Sequence, residues 1–72
     1  MTNFNITPDT RHAVLQQEID QLNITGFTQE VKLKQLEYAG AGASPEAQAC
    51  RDAIDAIKAA LRACADLKEE GN

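Results

Sequence analysis

The sequence predicts an all-α protein: an antiparallel helical hairpin with a kinked or broken long first arm, two to three helices in all, assembled into a homo-oligomeric helical bundle. Three observations predict it. Ala49, Ala53, Ala56, Ala60 and Ala63 recur at steps of four, three, four and three, a spacing that only a helix keeps on one side. Thr7-Pro8-Asp9 and Ser44-Pro45-Glu46 repeat one helix-start signal: a hydroxyl caps free N–H groups, proline is preset for the first helical position, and an acid suits the positive end of the dipole. Between the two arms, Gly40-Ala41-Gly42-Ala43 supplies glycines for a C-terminal cap and a turn.

Residues 1–7, with Phe4 and Ile6 in a polar context, read as an extended lead-in. The first arm covers residues 8–39. In its first half Leu15, Ile19 and Leu22 point inward with Val14 at the margin, while Arg11, Gln16, Gln17, Glu18, Asp20 and Gln21 lie outside. Asn5-Ile6-Thr7 with Thr10 returns as Asn23-Ile24-Thr25 with Thr28, so Thr25 is placed to cap a new helix as Thr7 does. Gly26 between threonines is poor helix material. These features predict a kink or break near residues 23–26. Against it stands an unbroken heptad rhythm through Leu15, Ile19, Leu22, Gly26, Gln29, Leu33 and Leu36.

The second arm covers residues 45–69, and Gly71-Asn72 is expected to fray. It carries two stripes, the alanines above and a bulkier row of Ala47, Cys50, Ile54, Ile57, Leu61 and Cys64, rotated by roughly a quarter turn at about 100° per residue. The bulky row fills a core. The alanine row lets another helix approach closely and reads as a contact surface. Gln48, Arg51, Asp52, Asp55, Lys58, Arg62 and Asp66 form the outer side, with Arg51–Asp55 and Arg62–Asp66 at a spacing worth a few tenths of a kcal/mol each, about what a solvated face carries.

Residues 1–72 make one small domain with a thin core, without tryptophan and with two phenylalanines and one tyrosine. Chains this small need disulfides, a metal or partner subunits. Cys50 and Cys64 are 14 residues apart on one arm, about 21 Å at 1.5 Å per residue, too far to bond to each other. They read as reduced, buried thiols. No local ligand pair for a metal exists, which leaves oligomerisation as the staple. The net charge of −4, with bases dispersed among acids, argues against nucleic-acid binding, which needs clustered Lys and Arg. MTNFNITPDT has no basic segment followed by an apolar run, and no apolar stretch is long enough to span a bilayer. A cytoplasmic protein without membrane contact is expected.

No catalytic constellation assembles. His12 is the single histidine and reads as a surface residue beside Arg11; Asp52 and Asp55 are balanced by Arg51 and Lys58; Gly40 and Gly42 form a turn, not a phosphate cradle. No enzyme activity, cofactor or metal is expected. The excess lies in Ile24, Phe27, Val31 and Tyr38, roughly opposite the Leu15–Leu36 row of the first arm. Either a break near Gly26 rotates them into one shared core, or they stay exposed as a partner or ligand surface. The first expectation is a non-enzymatic module that homo-oligomerises through the alanine row or the Phe27 face and binds a protein partner. The alternative is an oligomeric protein that sequesters a small anionic ligand in pockets between protomers built from Phe27, Lys34 and Tyr38, an accessory protein of bacterial or phage type.

Overall fold

The computed structural model describes residues 5–70. The expectations for Phe4 within the lead-in and for fraying at Gly71-Asn72 lie outside them. Two helices, α1 (Pro8–Tyr38) and α2 (Pro45–Glu70), pack against each other as a hairpin. Each arm opens on a proline, Pro8 in α1 and Pro45 in α2.

Local chemistry fixes each end. Thr7, in an extended conformation, accepts from the Thr10 backbone N–H through Oγ1 at 3.2 Å, and Pro8 fills the first position, where no N–H is needed. α1 closes on Ala39 with Gly40 at φ 81°. The Gly40 N–H donates to the Glu37 carbonyl at 3.1 Å and the Ala41 N–H to the Leu36 carbonyl at 2.8 Å, the paired bonds of a Schellman cap. Ser44 then starts α2: its Oγ accepts from the Ala47 N–H at 3.1 Å and donates to the Ala41 carbonyl at 2.7 Å.

The first arm is one unbroken helix of 31 residues. Of the kink or break expected near residues 23–26, the break does not occur, and Thr25 lies inside the helix. Two contacts lie in this stretch. Gly26 faces α2 so closely that a Cβ there would sit 3.4 Å from Cγ2 of Ile57, so the glycine serves helix approach and not chain reversal. Thr28 turns its hydroxyl back to the Ile24 carbonyl at 2.9 Å, a local bond compatible with helix. The heptad rhythm prevailed because packing against α2 outweighs the weak propensities of one glycine and two threonines.

Along the seam, Leu15, Ile19, Leu22, Gly26, Gln29, Leu33 and Leu36 are half-buried against α2. The bulky row lies inside as expected: Ala47, Cys50 and Cys64 are buried, and Ile54, Ile57 and Leu61 half-buried. Both thiols are free. No large side chain among the described residues is fully buried. The molecule is 49 × 18 × 15 Å with a radius of gyration of 15.9 Å, against about 11 Å for a compact domain of this length. A layer only two helices thick cannot enclose a core.

Two arginines expected on the outside are half-buried instead. Arg11 donates from Nη2 to the Leu67 carbonyl at 2.6 Å, in the last described turn of α2. Arg51 donates from Nη2 to the Gly42 carbonyl at 2.7 Å and lies 3.8 Å from Oε2 of Glu37. It therefore turns to the loop rather than to Asp55. Each end of the hairpin is tied by a guanidinium.

Candidate functional site

With both helices placed, the apolar side chains of α1 divide between two opposite faces and nearly cancel as an amphipathic pattern, whereas those of α2 gather on one side. The face of α1 toward α2 is covered. The other carries Ile24 at 62% exposure, Phe27 at 66%, Val31 at 40% and Tyr38 at 88%. With the helix unbroken, nothing rotates these four into the core. They form a discontinuous apolar row about 21 Å long from Ile24 to Tyr38 at helical rise, with Lys34 in the gap, its side chain 72% exposed and 3.8 Å from Glu37.

Beside the row runs an apolar groove of about 130 Å³. Its floor is Leu22, Gly26, Ile54, Ile57 and Leu61, and its rim includes Phe27 with Asn23, Glu30 and Lys58. The groove opens beside Gly26, where α1 presents no side chain. It is of benzene size, and well below the roughly 300–1,000 Å³ of a pocket that envelops a small-molecule ligand. A second apolar hollow, toward the open end of the hairpin, is lined by Ile6, Arg11, Val14, Leu15 and Leu67.

The expected ligand trio does not converge within one chain. Phe27 lines the groove, while Lys34 and Tyr38 stand about 10 and 16 Å further along the axis by helical rise. The alanine row is split: Ala53 and Ala60 are half-buried along the hairpin, and Ala49, Ala56 and Ala63 are exposed. Those alanines are not what holds the two arms together; the row of Cys50, Ile54, Ile57 and Leu61 does that. Sequence reasoning missed the groove and the arginine ties. Arg11 precedes Leu15 by one step of four, in register with the inward row, and that register was the available signal.

Acidic and thiol chemistry stays dispersed. Asp52 accepts from Nε2 of Gln48 at 3.0 Å, His12 is exposed, and no cluster of three or more His, Cys, Asp or Glu among the described residues could hold a metal ion. No described helix is long and apolar enough to cross a membrane.

The arrangement defines a class, an antiparallel helical hairpin with one apolar face of its long arm unpartnered. Compared with family models, curated proteins and solved structures, the chain matches none.

Proposed function

We propose that this protein is a non-enzymatic helical interaction module of the cytoplasm, which homo-oligomerises and acts by binding a protein partner. One observation carries the reading: α1 is apolar on two faces and α2 covers only one, leaving Phe27 at 66% exposure beside an open apolar groove. A monomer with three buried residues among those described, none of them large, lacks the apolar burial that stabilises chains of this size. Covering the second face supplies it. Exposed aromatic side chains next to a concave surface are the anchors on which helical protein interfaces depend.

Sedimentation equilibrium at micromolar concentration tests the reading. A species larger than the 7.8 kDa chain, dissociated by Phe27→Ala, supports it; a stably folded monomer overturns it in its homo-oligomeric form.

A further inference from the structure

The free face of α1 is self-complementary. Asp20, Ile24, Phe27, Val31 and Lys34 follow at steps of four, three, four and three, within an arc of about 80° on the helix at about 100° per residue. Phe27 stands at the centre, with Asp20 seven residues before it and Lys34 seven after. Ile24 and Val31 occupy the intermediate places. All five are exposed. Read from either end, the terminal charges stand equally far from Phe27 with opposite sign, and the intermediate apolar residues lie three before it and four after it.

Resting on the proposed self-association, the geometry points to its mode: a second copy of this chain lies antiparallel across α1, on a two-fold axis that passes beside Phe27. That axis sets Asp20 of each copy against Lys34 of the other, twice, and Ile24 against Val31. A parallel two-fold pairing would instead set Asp20 against Asp20 and Lys34 against Lys34, like charge on like, and would align the two helix dipoles unfavourably. The groove agrees with the antiparallel arrangement. Its α1 wall runs from Leu22 to Glu30, centred on Gly26 and Phe27, so the same axis brings each Phe27 ring over the other copy's groove. A ring of benzene size meets a hollow of about 130 Å³. The pair forms a bundle of four helices, with the two α1 helices at its centre.

Within one chain Asp20 and Lys34 are about 21 Å apart by helical rise, so they cannot pair with each other. This makes charge reversal decisive. Dissociation constants are measured by sedimentation for the full chain and for Asp20→Lys, Lys34→Glu and the double variant, with far-UV circular dichroism confirming that each remains helical. Each single reversal places two like-charge contacts across the axis and is expected to weaken the dimer about tenfold, while the double variant restores it to within about threefold of the parent. If the parent dimerises but the double variant is as weak as the two singles combined, or the singles change nothing, the antiparallel pairing is overturned while self-association stands. A parent that is monomeric throughout overturns both.

Discussion

The guanidinium of Arg11 donates to the backbone carbonyl of Leu67 at 2.6 Å, so a side chain one turn inside α1 closes the last turn of α2. The two residues are 56 positions apart in the chain, and their contact holds the hairpin's open end in register. A cation at a helix C-terminus opposes the negative end of the dipole. Hydrogen bonds that involve a charged group contribute more than neutral ones, about 1.5–3 kcal/mol. Arg11→Met, which keeps the apolar stem, is expected to cost about 1–2 kcal/mol in urea unfolding. Amide exchange in the last turn of α2 should accelerate while that near Ser44 stays unchanged. Equal acceleration at both ends would mean that Arg11 does not act as a local tie.

Two glycines should respond to the same substitution with opposite signs. Gly40 holds φ at 81°, and a methyl added there would meet nothing within 4 Å, so Gly40→Ala carries only the backbone penalty of a left-handed residue, about 1 kcal/mol. Gly26 lies inside α1, and a methyl there reaches Ile57 at 3.4 Å, ordinary contact. Gly26→Ala is expected to gain about 0.5–1 kcal/mol from helix propensity. Gly26→Leu overpacks the same seam and should cost about 1–3 kcal/mol. Urea midpoints at the lowest workable protein concentration, where association adds least, decide the signs.

Cys50 and Cys64 are free and only 2% and 7% exposed. An aromatic disulfide reagent should therefore react slowly in native buffer and titrate two thiols per chain once urea opens the hairpin, because access requires separation of the helices. Rapid native reaction of both thiols would show that the seam does not stay closed.

How much of this was legible in the sequence follows from what each signal measures. The proline starts, the glycine turn and the inward rows are local patterns, and local physics decides them: caps form from adjacent atoms, and a period near 3.6 has one geometric meaning. The continuity of α1 was not local. Gly26 and the flanking threonines carry a break signal in their own propensities, and only the approach of Ile57 from the other arm explains why the helix runs through. The arginine ties were hidden for a related reason, since charge places Arg11 and Arg51 outside while register with Leu15 and with Cys50 and Ile54 draws them toward the seam. For the Phe27 face, the sequence shows four apolar residues opposite the inner row, and their exposure followed once the helix was known to be unbroken through residue 26.

The final prediction separates a protein interface from a ligand pocket on the Phe27 face. Apolar anchors dominate protein interfaces and flanking exposed charges contribute little, and Lys34 is 72% exposed at the end of the row. An anionic small molecule would depend on the lysine as well, because removing the one group that pairs a buried charge costs several kcal/mol. Phe27→Ala is thus expected to abolish binding of whatever co-purifies with the parent chain, whereas Lys34→Ala leaves a protein complex within about threefold of its parental affinity. Isotherms for the two variants against the co-purifying molecule provide the comparison. Loss of binding in both would favour ligand sequestration between protomers, and full binding by Phe27→Ala would remove this face from the functional surface altogether.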